Sequence, residues 1–520
     1  MKKEVVKGAA PVDTMSGKAD SCHVFEEPGC VWDAMLNQTN ISNNNNKYYI
    51  VQLLEDDNKK QYFAWNRWGR VGKTAGKTLV PCGSDLEKAK KDFKKKFKDK
   101  TKNDWDNRAS FKPYNGKYTL LERDYKADAE EAEDEKGAKV SLKDIPDSKL
   151  DERVQKLIKL ICDVEMMTKA MIEVGYDAKK LPLGRLSTKH IQKGYEVLKK
   201  ISEQLESGKG SNLTALSNDF YTLIPHDFGM KQPPVISNSA LLKQKLEMVE
   251  ALADIQIATK LLKTSSGEPR VVFLCENPYF IGGRENPIDV HYQQLKCGIK
   301  PVNRASEDWE IIQEYVKNTH AKTHNKYGLK ILDVFEMDRE GEDARYGDHR
   351  KTENRMLLWH GSRLTNFVGI ISQGAVLLLM MTGLRIAPPE APVTGYMFGK
   401  GVYFADMVSK SANYCNTTRD SNIGCLLLCE VALGKCSNKY AADYYADQLP
   451  KGCLSTKGVG TTQPKPSGYR TMSDGVVVPC GEGENVTLSE SSSLLYNEFI
   501  VYNVNQVRIR YMVHMEFNYK

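Results

Sequence analysis

The hydrophobic period changes twice along this chain, and that change limits the possible folds more than any other feature of the sequence. Two runs rich in β-forming residues, 48–53 and 61–65, flank the charged turn 56–59 and predict paired strands. From 149 to about 262, apolar residues recur at steps of three and four, which predicts helices. After about residue 285 the pattern is mixed, and short strands punctuated by glycine dominate after Met356. The sequence therefore predicts a multidomain α+β protein.

The length also favours several hydrophobic cores, because 520 residues exceed what one core usually supports. The polar run Asn43–Asn46 closes a segment that we interpret as flexible, and Asp128–Glu135 is an acidic run typical of a solvated linker. The predicted boundaries are a flexible N-terminal lead-in at 1–46, a β-rich domain at 47–126, an acidic linker at 127–148, a helical bundle at 149–268 and a mixed α/β domain at 285–520.

The composition argues against several classes of protein. A hydrophobic content of 41% with 27% charged residues does not suit a mostly disordered chain, and a net charge of +7 is mild for this length. The twelve cysteines form no C-x-x-C pair and the nine histidines lack ligand spacing, so we expect neither a metal site nor a disulfide framework. The N-terminus has no apolar signal segment, and the longest apolar run, Ala375–Met381, is far shorter than the roughly 20 residues of a membrane span. We therefore expect a soluble, intracellular protein with no membrane partner.

Four phrases carry the chemistry: Leu357–Arg363, Gly399–Asp406, Ser409–Tyr414 and Leu494–Glu498. Each phrase alone has an ordinary structural interpretation, such as a histidine at a strand end, a glycine turn or an exposed glutamate. A Rossmann phosphate loop is not supported, because Gly399-x-Gly401 continues with Phe404 where a third glycine is needed. In this order and spelling, however, the four phrases together resemble the catalytic domain of poly(ADP-ribose) polymerases. The resemblance runs from about residue 285 to the end.

This resemblance implies an ADP-ribosyltransferase that consumes NAD⁺ as a substrate, with no permanently bound cofactor and no metal. The family's catalytic pattern falls on His360, Tyr403 and Glu498. NAD-binding roles would fall on Gly361, Ser362, Asn366, Arg385, Ser411 and Tyr414, and acceptor-site roles on Met397 and Tyr496. Cleavage of the nicotinamide–ribose bond passes through an oxocarbenium-like state, which a carboxylate can stabilise while it hydrogen-bonds a ribose hydroxyl.

Trp68-Gly69-Arg70 resembles the centre of the WGR domain, which accompanies this catalytic domain in DNA-activated members. The resemblance implies contacts to a DNA strand break by Arg67, Trp68, Arg70, Lys73 and Lys77, with phosphates held by the cations and the indole stacked on an exposed sugar or base. The alternative is a tryptophan that anchors a β-hairpin among solvated charges.

The helical block is similar to the family's regulatory domain in three phrases: 180–184, 193–198 and 223–229. The resemblance implies an all-α bundle that blocks NAD⁺ entry until DNA binding loosens it. The domain order resembles the short, WGR-containing, DNA-dependent type, with plant-like phrasing, and implies a nuclear location.

Two segments depart from the family pattern. Ala375–Gly383 interrupts a continuous S-Q-G-L-R-I phrase before the donor-site loop and could displace Arg385, and 270–284 is also foreign. Three hypotheses therefore stay open: a break-activated enzyme that polymerises ADP-ribose on protein acceptors including itself, with an accessory protein at the acceptor site as a further candidate partner; a scaffold that binds breaks but has lost catalysis; and a transferase of single ADP-ribose units.

Overall fold

The structure is a computed structural model that describes residues 10–123, 146–163, 166–167, 169, 186–208, 212–263, 286–372, 383–388, 390–392 and 396–520. Three predicted features lie wholly or largely outside these residues: most of the acidic linker, the foreign stretch 270–284, and the inserted segment apart from Gly383. The chain forms two compact units. The first comprises 1–143, 164–278 and 389–395, and the second comprises 144–163, 279–388 and 396–520.

The elements are numbered in chain order. The helices α1–α10 are Leu86–Thr101, Glu152–Ile161, Thr188–Glu206, Leu213–Leu223, Ser239–Lys263, Pro287–Leu295, Glu307–Asn318, Glu342–Tyr346, Phe367–Ile371 and Val408–Ala412. The strands β1–β11 are Cys22–Val24, Glu26–Glu27, Cys30–Val31, Asp33–Asn40, Asn45–Asp56, Tyr62–Arg70, Gly76–Gly83, Thr119–Leu120, Cys297–Pro301, Tyr327–Arg339 and Arg355–Gly361. The strands β12–β22 are Val402–Phe404, Ile423–Ala432, Cys436–Lys439, Ser455–Gly458, Gly460–Pro464, Arg470–Thr471, Val477–Val478, Gly483–Asn485, Leu494–Tyr496, Glu498–Val501 and Val507–Tyr519.

The first unit is built on an antiparallel sheet in the order β7-β6-β5-β4-β8, with β1 also paired to β5. The predicted strand pair is confirmed as β5 and β6, in a register that places Tyr49 opposite Trp68. Helix α1 covers one face of this sheet and buries Ala89, Phe93 and Phe97, as their helical spacing predicts.

The prediction of a flexible lead-in through residue 46 is wrong, because residues 22–46 contain four strands and the start of β5. Asn43 and Asn44 of the polar run lie in the β4–β5 turn, and Asn45 and Asn46 begin β5. Asn44 adopts a left-handed φ of 48° that asparagine tolerates. Asn37 and Asn46 are buried because their amides donate to the carbonyls of Tyr221 and His226 in the helical segment. Buried polar side chains with tertiary partners look like disorder when only composition is considered.

Helices α3, α4 and α5 complete the first unit. The apolar residues at steps of three and four that predicted helices after residue 149 include Leu242, Leu246, Val249 and Leu252 of α5, and all four are buried. Helix α2 belongs to the second unit, where it packs near α6 and β9. Among the described residues, no helix is long and apolar enough to cross a bilayer.

The second unit contains a seven-stranded sheet in the order β17-β18-β11-β13-β22-β10-β9, antiparallel except for the β11–β18 pair. Its core buries Tyr315 of α7 against Trp359 of β11. A second sheet has the order β12-β21-β15-β14. The prediction of a multidomain protein with a mixed α/β region built on antiparallel sheets is confirmed.

Candidate active site

The candidate site lies where the seven-stranded and four-stranded sheets of the second unit meet. Strand β11 ends at His360 and Gly361, and an isolated bridge joins Trp359 to Ala405 just beyond β12. The two backbone hydrogen bonds of that bridge measure 2.9 and 3.0 Å. Strand β12 pairs with β21, so that Phe404 lies opposite Phe499, next to Glu498. Three segments far apart in sequence are thereby fixed side by side.

His360 is held through one ring nitrogen. Its Nδ1 lies 2.9 Å from the carbonyl oxygen of Tyr403, and because a carbonyl only accepts, Nδ1 carries the hydrogen. Burial lowers the pKa of His360, which favours the neutral ring. In this tautomer Nε2 has a lone pair and can accept a hydrogen bond from a hydroxyl.

Tyr403 fixes the turn that precedes its own strand. Its hydroxyl donates to the carbonyl of Gly399 at 2.7 Å and accepts from the backbone N–H of Phe398 at 3.0 Å. The hydroxyl of Tyr502 donates to the carbonyl of Phe398 at 2.8 Å. Burial raises the pKa of Tyr403, so the phenol stays protonated and keeps its donor role.

Glu498 forms an ion pair with Lys410, whose Nζ lies 2.8 Å from Oε1. Both side chains are 16% exposed, so the pair is largely protected from solvent. Lys410 also donates to the carbonyls of Tyr496 at 3.0 Å and Asn497 at 3.2 Å. Burial lowers the pKa of Lys410, and the nearby Glu498 carboxylate opposes that effect.

Gly361 lies against the short helix α10. A Cβ added at Gly361 would be 1.9 Å from the backbone oxygen of Ser411, so no other residue fits without movement of the backbone. The buried Ser411 hydroxyl donates to the carbonyl of Trp359 at 2.9 Å, which leaves its lone pairs as acceptors. Tyr414 lies in the next helical turn and is 51% exposed.

The residues predicted for the adenosine side follow β11. The Asn366 amide donates to the Ser362 hydroxyl at 3.0 Å, so these two side chains form one polar group. Arg385 lies in the segment 383–388, which contains no helix or strand, and its side chain is exposed.

The described residues on either side of 373–382 are hydrogen-bonded to other residues of the second unit. Arg339 donates to the carbonyls of Ile371 at 3.0 Å and Ser372 at 3.2 Å, and its guanidinium is ion-paired with Glu342. At the other end, the backbone N–H of Gly383 donates to the carbonyl of Gly369 at 3.0 Å. Gly383 has a φ of 110°, and a Cβ there would be 3.0 Å from Arg339.

The residues predicted for the acceptor side belong to different packing clusters. The Tyr496 hydroxyl lies 2.5 Å from the Thr323 hydroxyl, and its ring contacts the ring of His324 at 5.3 Å. Met397 packs against the cluster that contains Phe398 and Ile500.

Known proteins match this chain over nearly its whole length. The model described as poly(ADP-ribose) polymerase catalytic domain matches residues 306–517, the model of the regulatory domain of these polymerases matches 148–292, and the WGR domain model matches 32–112. Poly(ADP-ribose) polymerase 2 of Arabidopsis thaliana is 48% identical over 520 residues, which cover 99% of this chain and 78% of the relative. The human poly(ADP-ribose) polymerase 2 is 46% identical over 526 residues, which cover 100% of this chain and 85% of the relative.

This chain belongs to the poly(ADP-ribose) polymerase family. It is an NAD⁺ ADP-ribosyltransferase, and the family resemblance predicted from its motifs is confirmed. Enzymes of this family use NAD⁺ as a substrate. No group of three or more His, Cys, Asp or Glu side chains suited to a metal ion occurs within the described ranges.

The five predicted DNA-binding residues of this polymerase lie in two different environments. Arg67 is ion-paired with the buried Asp13 at 2.5 Å, and Arg70 donates to the carbonyls of Gly229 and Lys231 at 2.5 and 2.8 Å. Trp68 stacks on Tyr49 at 5.6 Å, so that one face of its indole is covered. Lys73 and Lys77 are exposed, and Lys77 donates to the carbonyl of Met15.

Sequence reasoning did not assign a role to Lys410, Asn497 or Asp406. Lys410 lies within the quoted phrase Ser409–Tyr414, and Asn497 directly precedes Glu498. A lysine between two serines on a short helix carries no signal of its own. The family phrases were the available signal, because Lys410 and Asn497 lie inside them.

Proposed function

We propose that this enzyme polymerises ADP-ribose from NAD⁺ onto protein acceptors, itself included, when its WGR region binds a DNA strand break. The observation that carries the proposal is the convergence of His360, Tyr403 and Glu498 at the junction of two sheets, with Glu498 held by Lys410 at 2.8 Å. The proposed setting is the nucleus, in the response to DNA damage. The proposed partners are strand breaks, protein acceptors and an accessory protein at the acceptor side.

In this proposal the Gly361 backbone pairs with the nicotinamide amide and the Ser411 hydroxyl oxygen accepts from the same amide. Tyr414 and Tyr403 provide aromatic walls for the ring. Neutral His360 accepts a hydrogen bond from a ribose hydroxyl at Nε2, because Nδ1 already donates to the Tyr403 carbonyl. Ser362, Asn366 and Arg385 contact the adenosine side.

The bond that breaks joins C1′ of the ribose to the nicotinamide nitrogen, and the electron pair leaves with neutral nicotinamide. The ribose then carries oxocarbenium character, which the carboxylate of Glu498 stabilises electrostatically. An acceptor hydroxyl oxygen forms the new bond to C1′, and its proton passes to bulk water. In elongation the acceptor is a 2′-hydroxyl of the growing chain, which Glu498 orients, with Met397 and Tyr496 lining the acceptor side.

Support for a catalytic enzyme over a silent scaffold comes from the site itself, since every proposed side chain is present. Arg339 donates to the carbonyls of Ile371 and Ser372, which precede the inserted segment, and the backbone N–H of Gly383 at its end donates to the carbonyl of Gly369. A carboxylate at position 498 supports polymer formation over single transfer, because it can hold a ribose hydroxyl acceptor.

The test is NAD⁺ consumption with sizing of the product, by the purified full chain, with and without short nicked or blunt DNA. Glu498→Gln removes the carboxylate charge, and the exposed Glu490→Gln is the matched control. DNA-stimulated long polymer that is lost only in Glu498→Gln is the expected result. DNA binding without NAD⁺ consumption by the wild-type chain would instead support the scaffold, and short products from the wild-type chain would support single transfer.

A further inference from the structure

The side chain of Asn497 is fixed at both ends, directly before Glu498. The backbone N–H of Gly460 donates to Asn497 Oδ1 at 2.9 Å, and Asn497 Nδ2 donates to Asp406 Oδ2 at 2.7 Å. Asn497 and Asp406 are each 1% exposed. The orientation of the amide is determined, because Gly460 requires an acceptor and the carboxylate requires a donor.

Asp406 is connected through its neighbour Ala405 to strand β11, which ends at His360 and Gly361. It directly follows Ala405, whose backbone N–H and C=O both pair with Trp359, the residue before His360. Its Oδ1 has no hydrogen-bond partner in the described part of the chain, and its Oδ2 accepts from the Asn497 amide. Burial raises the pKa of Asp406, and the Asn497 amide opposes this effect by hydrogen bonding the carboxylate.

Lys410 adds a third point of attachment to the same segment. Its ammonium donates to the Asn497 carbonyl at 3.2 Å while it pairs with the Glu498 carboxylate at 2.8 Å. The side chain of Asn497 is therefore held by Gly460 and Asp406, and its backbone by Lys410. No part of this arrangement uses a residue assigned above to substrate contact, apart from Glu498 itself.

We propose that Asp406 and Asn497 form a brace that positions Glu498 for elongation of the polymer. Asp406 holds Asn497 in a fixed position relative to the end of β11, where His360 lies. Glu498 is bonded directly to Asn497, so its backbone is held in place as well. Asp406 and Asn497 are positioning residues, because neither is placed against substrate. The inference rests on the role proposed for Glu498.

The brace predicts a specific kinetic effect. Glu498 acts on the reacting hydroxyl and on the developing charge, so a small displacement lowers kcat for elongation, whereas nicotinamide binding by Gly361 and Ser411 is unchanged. A displacement of about 1 Å in a reacting group can cost about 10²-fold in rate. A residue that only stabilised the fold would lower the melting temperature without this division between kcat and KM.

The experiment uses the full chain and a swap of the two side chains. Asn497→Asp keeps the acceptor for Gly460 but places a second carboxylate against Asp406. Asp406→Asn keeps an acceptor for the Asn497 amide and serves as a mild variant that preserves volume. In the double variant D406N/N497D, the amide at position 406 can donate to the carboxylate at position 497, so the hydrogen bond is restored in the opposite direction. Asn485→Asp, on the exposed strand β19, is the matched control.

We expect Asn497→Asp to lower kcat for polymer elongation by at least about tenfold, with KM for NAD⁺ within about twofold of wild type. Asp406→Asn should stay within about threefold of the wild-type elongation rate, and the double variant should recover to the same range. The control Asn485→Asp should elongate at the wild-type rate. Recovery in the double variant supports the brace even where the single variant fails to fold. A folded Asn497→Asp with wild-type elongation, or a double variant that stays slow at a wild-type melting temperature, overturns it.

Glu498→Gln, measured in parallel, separates the two claims. If that variant elongates normally, the proposed role of Glu498 fails. If it is inactive while Asn497→Asp is fully active, the inference about the brace fails alone.

Discussion

The Nζ atom of Lys410 lies 2.8 Å from Oε1 of Glu498, and the two side chains share a largely buried site. The lysine is anchored independently by the carbonyls of Tyr496 and Asn497. It therefore restricts the rotamers of the glutamate before any substrate binds, which is how preorganised charge acts in a catalytic site.

Replacement of Lys410 by methionine should lower kcat for polymer formation by about 10-fold to 10²-fold, because Glu498 loses the group that orients it. Lys410→Arg keeps a cation and should recover part of the rate. The measurement is steady-state NAD⁺ turnover with DNA present. Wild-type kcat in a folded Lys410→Met variant would contradict the prediction.

The rate should fall on the acidic side as His360 is protonated. Burial lowers the pKa of His360, so the neutral acceptor form persists below the ordinary histidine value of about 6.5 and is lost only as the pH falls further. The acidic limb of kcat/KM should therefore lie below about pH 6.5. A profile from pH 5 to 8 checks this, and a limb centred above pH 6.5 would show that the ring is not held neutral.

His190 should make the first unit less stable at mildly acidic pH. Its Nε2 donates to the Leu223 carbonyl at 2.9 Å, its Nδ1 faces the N–H of Glu122 at 3.4 Å, and burial lowers its pKa to about 4. The unfolded chain binds the proton at about pH 6.5, so the stabilising contribution is complete above that pH and is lost progressively as the pH falls toward 4. From pH 7 to pH 5 the loss should be about 2 kcal/mol.

Urea unfolding of the wild type and of His190→Gln at both pH values measures this contribution. The variant should show a smaller pH dependence than the wild type, and His349→Gln should retain the wild-type difference. Equal pH dependence in the wild type and His190→Gln would exclude His190 as the cause.

Deletion of 375–383 should preserve the fold and the activity. The deletion leaves Gly374 directly before Leu384, so a glycine remains for the position where φ is 110° and Arg339 lies 3.0 Å from a Cβ. Residues 371 and 372 remain bound to Arg339. The melting temperature and the KM for NAD⁺ of the deletion variant test the prediction, and replacement of the remaining glycine by valine is the control that should destabilise it. A large gain in activity on deletion would show that the segment disturbs the donor site.

The basic residues of the WGR region should separate into two classes. Lys73 and Lys77 are exposed, so each alanine variant should weaken DNA binding and reduce the slope of log affinity against log salt by about one. Arg70 is bound to the carbonyls of Gly229 and Lys231, so Arg70→Ala should mainly lower the stability of the unit, by about 1–3 kcal/mol. Fluorescence titration at several salt concentrations and thermal unfolding without DNA distinguish the two. An Arg70 variant with intact stability and a reduced salt slope would place that arginine on DNA.

The sequence predicted the domain types and the chain segments of the site because these depend on local pattern and on family phrases. Helix α1 followed from Ala89, Phe93 and Phe97, and the β5–β6 pair from its β-forming residues. The N-terminal strands were missed because Asn37 and Asn46 are satisfied by carbonyls about 180 residues away, and no local pattern reports such a partner. The ion pair of Arg67 with Asp13 could not be predicted either, because it depends on tertiary structure, and the contact of Arg67 with a phosphate stays a prediction. The roles of individual site residues stay predictions.

The close approach of Gly361 to the Ser411 backbone has a consequence for inhibition. A compound whose carboxamide pairs only with the backbone of Gly361 would recognise atoms that no codon change at that position can alter, because any side chain there would collide with the Ser411 oxygen at 1.9 Å. Resistance by substitution of Gly361 would require the strand and helix α10 to separate. Resistance to such a compound would have to arise by substitution at neighbouring positions, and one of these, Tyr414, is 51% exposed.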